Sequence, residues 1–178
     1  MKKLIKSVVI FFISITLITG CGRSFWDNDQ KVSDNIVEKI IDGINNKDAD
    51  AIKELFSEYA IENSESIDED IQYLFELIDG NVVSYEESSP AGSFESSDKD
   101  YKIKLISSYY YVSTATEKYY FLIDNYSKNT FESEKQGVKC LIVVKADERL
   151  KVFDGDEKIL FDGTEEVDRY GVIIPDIY

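Results

Sequence analysis

The sequence predicts an α+β domain in which three N-terminal helices pack on an antiparallel sheet. Apolar residues between Ile36 and Ile78 recur at a period near 3.6, and after Gly80 the period falls to 2. There is no internal repeat, and helices precede strands instead of alternating with them. That order favours helices segregated to one sheet face over a parallel βαβ arrangement.

Each element has a local reason. Ser33 is placed to cap a first helix whose stripe is Ile36, Val37, Ile40, Ile41 and Ile44. Asn45-Asn46-Lys47-Asp48 makes a turn, and Asp48 caps a second helix with Ala51, Ile52, Leu55, Phe56, Tyr59 and Ala60 on one face. Ser66-Ile67-Asp68-Glu69 is a capping-box pattern opening a third helix, with Ile71, Leu74, Phe75 and Ile78 inward and Gly80 as its stop. A short strand at Val83–Tyr85 then precedes a Ser88–Ser93 loop. Tyr101, Ile103 and Leu105 alternate with Lys102 and Lys104, as in a half-buried strand. Tyr109–Val112 and Tyr119–Ile123 flank a hairpin turn, Val138–Val144 is a further strand, and Arg149–Phe153 is expected to pair with it.

The first residues carry an address. Lys2, Lys3 and Lys6 precede an apolar run from Val8 to Ile18, followed by Thr19-Gly20-Cys21. A basic n-region, a short h-region and small residues are the layout of a secretory signal. The cysteine after Thr19-Gly20 makes it resemble the lipobox of bacterial lipoproteins, with Ile18 where leucine is usual. The resemblance implies a signal over residues 1–20 and a lipidated Cys21, anchored on the extracytoplasmic face of the cell membrane. A permanent span needs about 20 apolar residues, roughly twice the uninterrupted run here. A plain cleaved signal leaves the position of the cysteine unexplained. Residues 21–33 then read as lipidated cysteine and flexible tether, with a root-mean-square reach of about 20 Å for roughly 12 residues. Residues 34–178 read as one domain. Trp26, the only tryptophan, is a candidate for the headgroup layer.

Composition excludes several classes. The 178-residue chain carries a net charge of −15, and the leader holds three lysines and no acid, so the mature part is more acidic still. Such a surface repels phosphate backbones, which excludes nucleic acid as a partner. Histidine is absent, which removes the commonest general base and the usual zinc ligand. With Cys21 acylated, Cys140 has no partner for a disulfide, and its apolar neighbours predict a buried thiol. No cofactor or metal is expected.

Four stretches resemble an uncharacterised group of Gram-positive lipoproteins, domain-of-unknown-function family 5104. They are Asn46–Ser57, Asp70–Glu76, Tyr119–Asp124 and the ending Gly171-Val172-Ile173-Ile174-Pro175. The element order also resembles the nuclear transport factor 2-like, or cystatin-like, cone. That resemblance implies a curved sheet wrapped around the helices, with a pocket at its open end. The lipoprotein family offers no known activity to transfer, so its resemblance bears on the fold and not on the mechanism.

Candidate chemistry follows from the strands. Tyr109, Tyr111 and Tyr120 are candidate ligand-binding residues, since alternation sends Tyr109 and Tyr111 to one face and Tyr110 to the other. Asp124 shares a strand face with Tyr120 and Leu122. A carboxyl beside tyrosines in an apolar cone is a candidate base, so Tyr120 and Asp124 are the catalytic candidates of an isomerase- or lyase-like enzyme. Asp154-Gly155-Asp156-Glu157 hints at calcium but lacks the further acids of an EF-hand. Ser96-Ser97-Asp98-Lys99 is formally Ser-x-x-Lys, without a following helix or a Lys-Thr-Gly. The expectation is a membrane-anchored, non-catalytic domain binding a small ligand or a protein partner. A cone-fold enzyme and a structural surface module are the alternatives.

Overall fold

The computed structural model describes residues 23–150 and 168–175. The signal, Cys21 and the Asp154–Glu157 loop lie outside the described residues. Helix α1 (Arg23–Asn46) is followed by α2 (Ala49–Lys53), α3 (Glu58–Asn63) and α4 (Ile67–Leu77). Strands β1 (Ser84–Ser97), β2 (Lys102–Ser113), β3 (Lys118–Asn129), β4 (Gly137–Lys145) and β5 (Gly171–Ile173) form one sheet in that order. The first three pairings are antiparallel, and β5 joins β4 in parallel at Cys140, Leu141 and Ile142. The fold is therefore the expected α+β class, helices against an open, mostly antiparallel sheet. Among the described residues no helix is long and apolar enough to cross a membrane.

The core lies between the helices and one sheet face. Val37, Ile40 and Ile44 from α1 and Ile71 and Leu74 from α4 are fully buried, against Tyr110, Phe121, Leu141 and Val143. Each such aliphatic side chain stabilises the fold by about 1.5–3 kcal/mol. The predicted stripes supply these residues as the helical period requires.

The helix boundaries differ from the sequence reading. The first helix starts at Arg23, not Ser33, so residues 23–33 of the stretch expected as tether are helical. Ser33 is buried inside the helix instead of capping it. Partners across the fold explain the earlier start. Asp29 pairs with Lys104 at 2.7 Å, and Gln30 accepts from the Ala91 amide at 3.0 Å. Asp34 accepts from the Tyr110 hydroxyl at 2.9 Å, and Glu38 from the Tyr85 hydroxyl at 2.8 Å.

The expected second helix is two helices. Asp48 caps α2 as predicted, accepting from the Ala51 amide. The chain then leaves the helix so that the Ser57 amide donates to the Val138 carbonyl and the Val138 amide to the Leu55 carbonyl, both at 3.0 Å. The Ser57 side chain caps α3 through the Ala60 amide. Gly137 permits this approach, since its φ is +133° and a Cβ would lie 2.9 Å from the Ser57 nitrogen. The capping box of the third helix is also incomplete. Ser66 makes no side-chain bond to the helix amides.

The expected Ser88–Ser93 loop is part of one long strand. β1 runs through Pro90 with register shifts between Glu87 and Ser89 and between Ser89 and Gly92. A proline is tolerated here because β1 is an edge strand and the irregularity sits at the proline itself. Likewise Tyr101–Leu105 and Tyr109–Val112 belong to one hairpin arm, β2, apart from Tyr101, which precedes it. Arg149 follows a 3-10 turn, Ala146–Glu148, in helical conformation; the rest of the strand expected there lies outside the described residues.

Candidate functional site

Strand alternation gathers the three predicted tyrosines as expected. The Tyr109 and Tyr120 rings stack at 6.3 Å, and Tyr111 meets Tyr120 edge-on at 5.3 Å. The Arg149 guanidinium lies 4.8 Å over the Tyr120 ring. This cluster occupies the sheet face turned away from the helices. The helix-facing side holds Tyr110, Tyr119 and Phe121 and is filled by the core. The Tyr119 hydroxyl there donates to the Leu77 carbonyl at 2.9 Å, closing the end of α4. The parity of β2 and β3 thus puts Tyr109, Tyr111 and Tyr120 outside the helix–sheet interior, and they do not line the two clefts described below.

Tyr120 and Asp124 share a face but are not brought together. Four residues along a strand span about 13 Å, and buried Leu122 stands between them. Asp124 accepts from the Ser107 hydroxyl at 2.6 Å and lies 3.9 Å from the Cys140 sulfur. Burial, then the Asp124 carboxylate, pushes the Cys140 thiol up to about 12. Cys140 is buried, as its neighbours predicted. Ser96 ends β1 and Lys99 sits in the following turn, so no helix presents that serine.

A cleft of about 370 Å³ opens between the α3–α4 turn and β5, lined by Asn63, Ser66, Asp70, Arg169, Tyr170 and Ile174 among others. Gly171, with φ +85°, lets β5 approach the turn; a Cβ there would meet the Ser64 Cβ at 2.7 Å. The Tyr170 ring packs edge-on against Tyr59 at 5.1 Å, and its hydroxyl donates to Asp168 at 2.6 Å. Lys139 pairs with Asp168 and lies 5.6 Å over the Tyr170 ring, while Lys135 lies 4.6 Å over Tyr59.

Two carboxylates of this cleft are tuned apart. Burial raises Asp70, helped by Glu69 and Glu65 and opposed by the Ser66 hydrogen bond. Burial would raise Asp168 as well, but Lys139 and the Tyr170 hydroxyl outweigh it and hold that group low. The cleft therefore sets two carboxylates whose pKa values are pushed in opposite directions, and the Arg169 guanidinium, around one opening, a set suited to a small polar ligand. A second groove of about 440 Å³ lies between α1 and α2, lined by Lys39, Asp42, Asp48 and Glu54 among others. Sequence reasoning missed Tyr59, Lys135, Lys139 and Tyr170. The signal for the last was the Tyr170-Gly171-Val172-Ile173 run, an aromatic and a hinge glycine before β-branched residues.

The fold and cleft define a single-sheet α+β domain with a polar cleft at the sheet edge. Residues 39–146 match the family model described as a domain of unknown function, DUF5104, and the chain belongs to that family. Among curated proteins, none matches the chain.

Proposed function

We propose that this protein is an extracytoplasmic lipoprotein, held to the cell membrane through Cys21, whose domain binds a small polar ligand or a protein segment without catalysing a reaction. The leader and its terminal cysteine support the anchor. The cleft between the α3–α4 turn and β5 is the observation that carries the binding reading. Helices on one face of a mostly antiparallel sheet support reading the fold as a nuclear transport factor 2-like variant, with its usual interior site filled by core side chains. The separation of Tyr120 from Asp124 weighs against the enzyme reading, since a dyad must lie within hydrogen-bond reach of one substrate proton. The filled interior favours one rival, a structural surface module.

Native mass spectrometry of the full protein extracted from its host membranes tests this reading. A retained small molecule, or a partner captured by a photo-crosslinker at Asn63, is expected, with loss of the adduct in an Asn63→Trp variant that fills the cleft. Absence of both overturns the binding reading in favour of the structural module. Cys21→Ala is expected to lose acyl mass and membrane retention; equal retention overturns the anchor.

A further inference from the structure

The hydrogen bonds between α1 and the sheet fix the direction of the helix. Along α1, Asp29 meets Lys104, Asp34 meets Tyr110, and Glu38 meets Tyr85, whose partner across the strands is Val112. Helix α1 and strand β2 therefore run the same way, and their low-numbered ends lie at the same end of the domain. Arg23 is about 9 Å beyond Asp29 along the helix. Tyr101 is about 10 Å beyond Lys104 along the strand. Counted from the Gln30–Ala91 and Asp34–Tyr110 contacts, the helix start lies level with about Leu105 and its neighbour Phe94, and the β1–β2 turn reaches further in the same direction. The β3–β4 turn joins them: the Lys102 amide donates to the Thr130 hydroxyl at 2.8 Å and the Thr130 amide to the Lys102 carbonyl at 3.0 Å.

This end exposes apolar surface. Phe94 is 64% exposed and Phe131 70%, and the Tyr101 ring lies edge-on to Phe131 at 5.9 Å. Lys99, Lys102 and Lys128 are exposed around them. Glu95 shares Lys104 with Asp29 and Glu132 pairs with Lys135, while exposed Asp98, Asp100 and Glu134 stand among the lysines. Lys99, Lys102, Lys104, Lys128 and Lys135 thus nearly balance the acids of this end in a chain of net charge −15, so its repulsion from anionic headgroups is modest.

We infer that this aromatic tip, formed by Phe94, Tyr101 and Phe131 with their flanking lysines, seats on the lipid bilayer beside the N-terminal anchor. The inference rests on the lipid-anchor reading. Cys21 precedes the helix by two residues, which span at most about 7 Å when extended. The polar layer over each side of the hydrocarbon core is about 5–7 Å deep. An acylated Cys21 therefore holds the helix start, and the tip at the same end of the domain, at the headgroups. Aromatic rings partition into this layer, and lysines reach out of it to the phosphates. The domain is then oriented at the surface, not suspended on a loose tether.

The test uses the full acylated chain in vesicles of phosphatidylcholine and phosphatidylglycerol containing brominated acyl chains. An environment-sensitive fluorophore is attached at Lys99→Cys or, as a control, at Thr116→Cys, which lies in the turn at the opposite end of β2; buried Cys140 is spared. The expected result is quenching about twofold or more at the first position and none at the second, because the bromines lie in the acyl chains and only a position seated on the bilayer comes within reach of them. Adding Phe94→Ser and Phe131→Ser is expected to reduce that quenching while acyl mass and co-flotation stay unchanged. Equal signals from the two positions in protein that is acylated and floats would overturn the seated tip and leave the anchor intact. No acyl mass and no flotation would remove the anchor reading, and the tip with it.

Discussion

The Asp29 carboxylate, 1% exposed, lies 2.7 Å from the Lys104 ammonium, which also holds Glu95 at 2.7 Å. The relationship is asymmetric. Neither Asp29 oxygen has a further hydrogen-bond partner, whereas Lys104 keeps Glu95 and some contact with water. Lys104→Met strands a buried carboxylate and is expected to cost about 3–5 kcal/mol. Asp29→Asn leaves Lys104 paired and should cost about 1–2 kcal/mol. Urea unfolding of both variants checks the order, and equal losses would contradict it.

Gly137 predicts a second sensitive position. Alanine there meets the Ser57 backbone at 2.9 Å and must adopt φ +133°, so both sterics and conformation oppose it. Gly137→Ala is expected to destabilise by about 2–4 kcal/mol. Gly92→Ala, which finds open space and no positive φ, should change stability far less. Comparable melting temperatures for the two variants would refute the argument.

Cys140 is expected to resist alkylation in the folded protein and to react fully once unfolded by urea. Its thiol is pushed up to about 12, first by burial and second by the Asp124 carboxylate, so almost no thiolate exists near neutrality. Asp124→Asn removes only the lesser cause and should lower the value part-way. Iodoacetamide labelling followed by mass spectrometry measures this. Rapid labelling of native protein would show the thiol to be accessible.

Alkaline pH should unfold the domain. Burial and the Glu38 hydrogen bond push Tyr85 up to about 12, and burial with Asp34 raises Tyr110. Tyr170 is raised by burial and Asp168, and Cys140 behaves likewise. These groups hold their protons longer folded than unfolded. Stability is therefore unaffected below the unfolded values, about 8.5 for the thiol and 10 for the phenols, and falls as pH rises through them. Urea midpoints at about pH 8 and about pH 11 should differ, with the lower midpoint at the higher pH. Simultaneous ultraviolet titration of all tyrosines while the domain stays folded would contradict this sign.

The sequence by itself determined the α+β class, the inward residues of α1 and α4, the cap at Asp48, the burial of Cys140 and the strand alternation that gathers Tyr109, Tyr111 and Tyr120. These properties are carried by neighbours a few positions away, through the helical and strand periods. Tertiary structure decided what depends on distant partners. Residues 23–33 are polar and read as tether until Lys104 and Ala91 reach them from across the fold. The second helix breaks because Val138 supplies backbone hydrogen bonds to Leu55 and Ser57. The face of the sheet that meets the helices is a matter of parity, and either parity satisfies the same alternating pattern. That choice put the three tyrosines on the far side and left the cleft to Tyr170 and Asp70, residues a hundred positions apart that line one opening only when β5 docks beside β4.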